Sequence, residues 1–459
     1  MGSSLFATLS IATGALQAEQ GALNATTDNV ANATTPGYAR VVPVLVESDP
    51  VVIGSVTYGT GVTLQKLQGI RDPILQLRIQ EETQQQGQLN AFVNGAQQQQ
   101  VNFTSSTGDL GTQISNFFGS LGQVSPNPTS LAPRQAVLTA AGNLATAFNN
   151  TANALSSQQS NLDLSVVQAV QQVNTLTAQI AGVNAQISEA QGVGQDASTF
   201  IDQRDVLIGQ LSSLIDIAQI PSDNSLTLTT ANGTALVVGN QSFALSTGST
   251  ASGRQDVFSQ GNDITSQLTS GQLAGLIQVR DQQIPSTLSS LDALAAGLAN
   301  ALNTANQAGF DLNGAAGGDL FVPPPASGQG AASNLAVAIT DPALLAASSD
   351  GSAGSNGNVT VLAAVQNQAV IAGQTPTTAY SNIVFNVGNA VANSSAELSS
   401  AQLILQQLQD QRGSISGVSL NEEAANLLQF QQAYDAAAHV ITTINDMLYT
   451  VINMGTLTG

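Results

Sequence analysis

Apolar residues recur at helical spacing over the longest patterned stretches of the chain. In 166–187 they alternate in steps of three and four over about three heptads, and 384–408 carries a second such seam with Asn and Gln on its outer side. Seams of this kind are typical of long helices that pack on one another. Shorter helical patterns cover 110–121, 134–157, 197–217 and 270–307. The pattern therefore predicts a mainly α fold whose body is a bundle of long helices.

Two prolines mark where helices begin. Asp72-Pro73 and Thr375-Pro376 each place a capping side chain directly before a proline that suits the first helical turn. We expect helices to start at these two points.

Alternating β-forming residues interrupt the helical pattern at 219–260. Asn232-Gly233 and Gly239-Asn240 separate short runs of Leu, Val and Thr, and such pairs are typical of hairpin turns. The stretch therefore predicts a small β module, and 40–68 also has an extended pattern. The Gly- and Pro-rich stretch 309–334 is expected to be a surface loop.

The two ends of the chain carry matching apolar stripes. At the N-terminus the stripe repeats every seven residues, at Leu9, Leu16, Leu23 and Val30. At the C-terminus it occupies the a and d positions of a helix that opens with the capping box Ser419-x-x-Glu422, and its members are Leu427, Phe430, Tyr434, Ile441, Ile444 and Leu448. The two helices either pair inside one chain or also supply an intermolecular core, and the periodicity does not choose between these alternatives.

These patterns predict three domains. Residues 1–55 with 415–459 form a terminal coiled coil, 56–218 with 261–414 form the helical-bundle body, and 219–260 forms the small β domain.

The charge balance excludes two classes of partner. The chain has 459 residues with 9 Lys and Arg against 29 Asp and Glu, and its formal net charge is −20. A surface of this kind offers no basic stripe for nucleic acid or anionic membranes. No run of 18 apolar residues occurs, so we expect no membrane insertion.

Few residue types that carry enzyme chemistry are present. Cys is absent, Lys66 is the only lysine and His439 is the only histidine. This composition removes thiol nucleophiles, Cys/His metal cages and all but one Schiff-base lysine. We therefore expect no metal, no cofactor and no enzyme activity.

One charged cluster allows a catalytic interpretation. Asp202 and Asp205 flank Arg204, as carboxylate pairs do in general acid–base sites. Their spacing along one helix, without a His or Cys ligand, favours a salt bridge. The alternative, from a different functional class, is a secreted hydrolase or adhesin that uses these carboxylates or the β module.

Several motifs resemble those of a known family. Residues 15–24, together with Asn29-Val-Ala-Asn32 and Thr35-Pro-Gly-Tyr38, resemble the N-terminal signature of bacterial flagellar rod, hook and hook-associated proteins. Residues 416–434, and the internal segments 202–205 and 309–321, are similar to the hook-associated protein 1 family. Because Asn29 and Asn32 lie in the signature, the resemblance adds them to the N-terminal assembly interface.

The resemblance implies a structural role outside the cell. It implies a subunit exported through the flagellar type III apparatus, which forms a helical ring with its own copies at the junction between hook and filament. The implied partners are the hook protein, a second hook-associated protein on the filament side and an export chaperone that covers about 427–448. A rod or hook subunit is the alternative within this class. Larger members carry a second β insertion where this chain has only a short loop at 322–337.

Overall fold

The computed structural model describes residues 2–53, 56–104, 109–222, 225–249 and 253–456. Within these ranges the helices are α1 (Gly2–Ala31), α2 (Pro73–Thr104), α3 (Leu110–Val124), α4 (Leu131–Gly192), α5 (Ser198–Leu214), α6 (Gly271–Gln278), α7 (Ile284–Gln307), α8 (Gly357–Ala364), α9 (Pro376–Ser416) and α10 (Leu420–Thr456). A π-helical turn, Val279–Gln283, joins α6 to α7. The mainly α fold predicted from the sequence is confirmed. No helix of the described ranges is long and apolar enough to cross a membrane.

Short strands account for the β structure of the described ranges. They are β1 (Val41–Glu47), β2 (Val51–Ile53), β3 (Val56–Tyr58), β4 (Val62–Gly69), β5 (Ala218–Ser222), β6 (Ser225–Thr229), β7 (Ala235–Val238), β8 (Gln241–Ser242), β9 (Leu245–Ser249), β10 (Gln255–Ser259) and β11 (Asn262–Asp263). β1 pairs antiparallel with β4, β2 with β3, and β5 to β8 form a four-stranded sheet in chain order. The extended segment and the β module predicted from the sequence are therefore both present.

Both helix starts predicted at proline are confirmed. The Asp72 carboxylate accepts the backbone N–H groups of Ile74 and Leu75 at 3.0 and 3.1 Å. The Thr375 hydroxyl accepts the N–H of Thr378 at 3.3 Å. Each cap satisfies a donor that the first turn leaves without a helical partner.

The two helical patterns predicted at 134–157 and 166–187 belong to one helix. α4 has 62 residues and includes both. The linking residues 158–165 contain neither Gly nor Pro, so nothing in the sequence interrupts the backbone hydrogen bonds there.

The chain divides into two compact units, each described here by itself. Unit 1 contains 1–84, 172–245 and 401–459, and unit 2 contains 85–171 and 246–400. The β5–β8 sheet lies in unit 1, whereas β10 and β11 lie in unit 2. The division into three domains remains a prediction.

Two helix contacts form much of the core of unit 1. The first half of α2 packs on the end of α9 through a cluster of buried leucine and isoleucine side chains, Leu75, Ile79, Leu405 and Leu408. The end of α4 packs on α5 through a second cluster, Val183, Ile187, Ala190 and Ala197. The side-chain amide of Asn184 donates to the backbone carbonyl of Gly239 at 2.7 Å and so attaches the β5–β8 sheet to α4.

In unit 2 the predicted surface loop at 309–334 is irregular and is exposed or half-exposed at 322–330, but the part around Phe321 lies in the core. Phe321 is buried, and its ring centroid lies 6.0 Å from that of Phe117 on α3. The backbone here is irregular, yet its polar groups are satisfied, because Asn303 exchanges two hydrogen bonds of 2.8 Å with the N–H and carbonyl of Phe321. A side-chain amide thus replaces the missing ladder partner, which allows Phe321 to lie in the core although the backbone around it is irregular.

A buried cation, Arg280, joins several segments of unit 2. The Arg280 guanidinium is inaccessible to solvent and contacts three carboxylates, at 2.7 Å from Asp163, 2.8 Å from Asp281 and 3.3 Å from Asp256. Because solvent does not reach the guanidinium, the stability of its positive charge in the folded chain depends on these carboxylates.

Replacing Arg280 by Met should lower the free energy of unfolding by about 3–5 kcal/mol, because the substitution leaves the carboxylates without their shared cation. Urea unfolding of the full chain measures the loss. Arg254→Met is the matched control, since Arg254 is one-third exposed and its pair with Asp281 should contribute about 1 kcal/mol or less. Equal effects of the two substitutions would contradict this account.

Candidate assembly interface

The terminal helices α1 and α10 pack against each other within unit 1. The side of α10 that is shielded from solvent is the predicted C-terminal stripe. Ile444 is buried, and the other predicted members, Leu427, Phe430, Tyr434, Ile441 and Leu448, are half-buried. The structure therefore places these residues together inside one chain, which is the first of the two alternatives left open by the periodicity.

The face that α1 buries is lined by alanine and not by the predicted leucines. This alanine face consists of Ala12, Ala18, Ala22 and Ala25. Small side chains let the neighbouring elements approach the helix closely. Gly21 marks the closest approach, since a Cβ there would overlap the Leu64 side chain of β4. The alanines also recur at helical spacing in the sequence. The prediction followed the leucines because leucine is more hydrophobic than alanine.

The predicted leucines form a second face of α1, which is half-buried in the single chain. We call Leu9, Leu16, Leu23 and Val30 the leucine face. Its three leucines are half-buried, and Val30 is 43% exposed. α1 thus has one apolar face that is covered within the chain and another that is only partly covered.

α10 also exposes apolar side chains. We call Val440, Met447, Tyr449, Val451 and Ile452 the outer α10 patch; all of them are exposed, and helical spacing distributes them around α10, with Val451 one heptad after the buried Ile444. Exposed apolar side chains of this kind are available for burial against a protein partner. His439 is also exposed.

The buried side chain of Asn29 links three elements. Its Oδ1 accepts the Val41 N–H of β1 at 2.8 Å and the Tyr38 hydroxyl at 2.9 Å. Its Nδ2 donates to the Val41 carbonyl at 2.8 Å and to the Glu423 carboxylate of α10 at 3.1 Å. Asn29 was predicted as an interface residue, and the structure uses it inside the chain. Asn32 closes the turn after α1 by accepting the Thr35 hydroxyl at 3.1 Å.

The turn that follows α1 requires glycine. Gly37 has φ of +87°, and a Cβ there would overlap the Val206 side chain of α5. The Gly37 carbonyl accepts a hydrogen bond of 2.8 Å from Arg412 at the end of α9. This turn therefore sets the direction in which the chain enters β1.

Two glutamates hold the start of α10. Glu422 pairs with Arg40 at 2.6 Å, and the Arg40 N–H donates to the Ser416 carbonyl at 2.9 Å. Glu423 is buried and accepts from Asn29. The sequence analysis gave Glu422 only a place in the capping box, and it missed these contacts because both partners lie nearly four hundred residues away in sequence.

The Asp202 cluster forms a structural ion pair with a partner other than the predicted one. Arg71 contacts Asp202 Oδ1 at 2.6 Å, and Oδ2 accepts the Ala39 N–H at 3.1 Å. Arg204 instead donates to Asn184 at 3.3 Å. Both oxygens of Asp202 are therefore engaged in holding the N-terminal turn against α5.

A cavity of about 310 Å³ lies beside this ion pair, lined in part by Arg71, Arg204, Asp205 and Arg412. Burial raises the pKa of Asp205, although the neighbouring arginines oppose the shift. Within the described ranges, no group of three or more His, Cys, Asp or Glu side chains is placed to hold a metal ion.

Comparison with known proteins gives consistent matches over nearly the whole chain. A family model described as the flagellar hook-associated protein FlgK helical domain matches residues 78–321. Models of the flagella basal body rod protein and of the flagellar basal body rod FlgEFG protein C-terminal match 9–38 and 411–454.

Two relatives and one solved structure agree with this match. Flagellar hook-associated protein 1 of Bacillus subtilis is 30% identical, covering 98% of this chain and 98% of its own. The Escherichia coli K12 protein of the same name is 27% identical, and the alignment covers 96% of this chain and 98% of that protein. The structure of the flagellar hook junction protein FlgK from Burkholderia pseudomallei has the same fold, with a TM-score of 0.67 and 17% identity over 74% of this chain and all of the other.

Asn29→Ala should lower the free energy of unfolding by about 3 kcal/mol, because it leaves the Val41 backbone groups, Tyr38 and Glu423 without their buried partner. Asn24→Ala is the matched control, because Asn24 lies exposed on the same helix and should change stability by about 0.5 kcal/mol or less. Urea unfolding compares the two variants, and similar losses would argue against the role assigned to Asn29.

The stability of unit 1 should fall as the pH rises from about 10 to about 12. Burial, reinforced by Asp28, Asp202 and Glu423, raises the pKa of Tyr38 from 10.0 to about 12. In that window the unfolded chain loses the phenolic proton while the folded chain retains it, so alkaline pH favours unfolding. Tyr38→Phe should make the melting temperature less sensitive to pH in this range. Tyr58→Phe, at an exposed tyrosine, should leave the pH profile unchanged, and identical profiles for both variants would contradict the prediction.

Proposed function

The chain belongs to the flagellar hook-associated protein 1 family, and on this premise we propose that it is the structural subunit that joins the hook of a bacterial flagellum to its filament. The observation that carries the proposal is the two-sided construction of the terminal helices. On each helix some apolar side chains are packed inside the chain, whereas others stay half-buried or exposed.

The partly covered surfaces are suited to contacts between copies. The leucine face and the outer α10 patch lie on different helices, and we place them in a head-to-tail contact, which repeats from one copy to the next. Fully burying one side chain of the Val or Leu type contributes about 1.5–3 kcal/mol. Several such side chains on each helix are therefore enough to drive assembly once export has placed copies side by side.

The partners that we propose follow from the position of the chain between the hook and the filament. We place copies of this chain beside one another in a helical ring, the hook protein on one side and a second hook-associated protein on the filament side. The flagellum is an extracellular structure, and we propose that the chain reaches it by type III export.

We propose that an export chaperone holds α10 at about 427–448 before α10 packs on α1. This stretch is apolar and contacts α1 in the folded chain, so chaperone and α1 would compete for the same face. Covering it in the cytoplasm would prevent premature association.

The alternatives are less well supported. A rod or hook subunit would share the terminal motifs, but the match over 78–321 is to the hook-associated helical domain. A hydrolase that uses Asp202 would need a free carboxylate, whereas both Asp202 oxygens are hydrogen-bonded. An adhesin is disfavoured because the relatives over nearly the whole chain are flagellar hook-associated proteins.

Deleting the gene should leave hooks without filaments and release flagellin into the medium, and the wild-type gene should restore filaments. In the same strain, Val440→Asp should fail to restore them, because assembly would bury a charge that has no partner. The purified variant should keep its unfolding free energy within about 0.5 kcal/mol, since Val440 is 43% exposed in the single chain.

Ile444→Asp is the contrasting control. Ile444 is buried in the single chain, so this variant should unfold at markedly lower urea concentration. Ile441→Asp changes a half-buried site of the same helix, so it should unfold at a urea concentration between those of Val440→Asp and Ile444→Asp. Electron microscopy counts the filamented hooks. Filaments in the deletion strain would refute the junction role, and full restoration by Val440→Asp would refute the use of the outer α10 patch.

A further inference from the structure

Three of the 9 Lys and Arg residues line one cavity of unit 1. This is the cavity of about 310 Å³ beside the Arg71–Asp202 pair, and its cations are Arg71, Arg204 and Arg412. Arg71 directly precedes α2, Arg204 lies on α5 and Arg412 lies near the end of α9. A chain with a net charge of −20 thus gathers a third of its Lys and Arg around one cavity.

The carboxylates that line the cavity do not balance its guanidinium groups. Asp202 pairs with Arg71 at 2.6 Å, and Asp72 accepts the first backbone N–H groups of α2 at 3.0 and 3.1 Å. Asp205 is then the one lining carboxylate that remains to face Arg204 and Arg412. The cavity therefore keeps one positive charge that its own lining does not compensate.

Arg204 and Arg412 also have hydrogen-bonding capacity to spare. Arg204 donates to Asn184 at 3.3 Å, but its Nε is buried and has no hydrogen-bond partner among the described residues. Arg412 donates to the Gly37 carbonyl at 2.8 Å. Neither forms an ion pair within the described part of the chain. A guanidinium carries five N–H donors, so both side chains retain donors for an added acceptor.

The cavity is open to solvent at the start of α2. Pro73 and Leu77 line it, and both are exposed, Leu77 by 43%. Ile74 lies one helical turn before Leu77 and is 73% exposed. These apolar side chains border the opening, where a protein segment would bury them and a free inorganic anion would not.

We propose that this cavity receives an Asp or Glu side chain of a neighbouring copy of the chain, whose carboxylate lies between Arg204 and Arg412 while adjacent residues cover Leu77 and Ile74. The inference rests on the proposed junction function, which places copies side by side, and it names the chemistry of one contact between them. Each copy has 29 Asp and Glu against 9 Lys and Arg, so a carboxylate is the charged group that a neighbour offers most often. Hydrogen bonds from arginine to a carboxylate are strong and directional, which suits a specific contact.

A carboxylate introduced at the opening tests the chemistry of the cavity in the purified chain. Leu77→Glu should melt about 2 °C or more above Leu77→Gln, because only the glutamate adds a charge that the two guanidiniums can bind. Adding Arg204→Gln or Arg412→Gln to both variants should at least halve this difference. Comparison within each background cancels the effect of the substitution on α2 itself. Lys66→Gln, at an exposed cation outside the cavity, is the control background and should leave the difference unchanged.

Three melting results would overturn the inference. The first is that Leu77→Glu melts no higher than Leu77→Gln, which would show that the cavity does not accept a carboxylate. The second is that the difference persists undiminished with both arginine substitutions. The third is that Lys66→Gln reduces it as much as they do, which would assign the effect to net charge.

The same two variants test whether assembly uses the cavity. In cells that lack the gene, Leu77→Glu should reduce the number of filamented hooks at least about tenfold, because the chain's own carboxylate then occupies the place of the neighbour's. Leu77→Gln should stay within about threefold of the wild type. Equal counts for the two variants would contradict the inference, since the charge would then make no difference to assembly.

Photocrosslinking identifies the neighbour. A benzophenone amino acid in place of Ile74, beside the opening, should give a product of twice the mass of one chain when intact flagella are irradiated. No product, or a product of another mass, would show that the occupant is not a second copy and would overturn the inference. Failure of the wild-type gene itself to restore filaments would instead refute the proposed function, and the melting comparison would still decide whether the cavity binds a carboxylate.

Discussion

The buried amide of Asn29 is the constraint on which the arrangement of the chain ends depends. It is satisfied only when β1, Tyr38 and Glu423 of α10 all meet the same side chain. This requirement holds the alanine face of α1 against its neighbours, whereas the leucine face is only half-buried. Which surface is available for assembly therefore depends on a polar contact inside the chain, and not only on the hydrophobicity of the apolar stripes.

The helices and hairpins could be predicted because their signals are local. Proline after a capping residue at 73 and 376, heptad spacing in α4 and Asn-Gly turns near 232 all act within a few residues. The faces of α1 could not be assigned in this way. Alanine and leucine stripes both have helical spacing, and the choice between them was decided by side-chain size at Gly21 and by the distant partner Glu423.

The abundant uncharged amide side chains of this sequence also have a structural role that the composition alone does not indicate. Asn29, Asn184 and Asn303 are buried and bond backbone groups of segments 12, 55 and 18 residues away in sequence. An amide can both donate and accept, so it can replace a strand or a helical turn as a partner for irregular backbone. The part of the irregular segment around Phe321 enters the core of unit 2 for this reason, and the sequence analysis missed it because Asn303 is not adjacent to it in the sequence.

The central claim is that the leucine face is partly open in the single chain and covered between copies. Because the chain contains no cysteine, Val30→Cys provides one thiol on this face, at a position that is 43% exposed. Its reaction with a maleimide should be measured on the purified chain and on intact flagella, relative to the same samples denatured. The account predicts rapid labelling of the purified chain and at least about tenfold slower labelling in flagella. Equal labelling rates in the two states would show that the face stays open after assembly and would contradict the account.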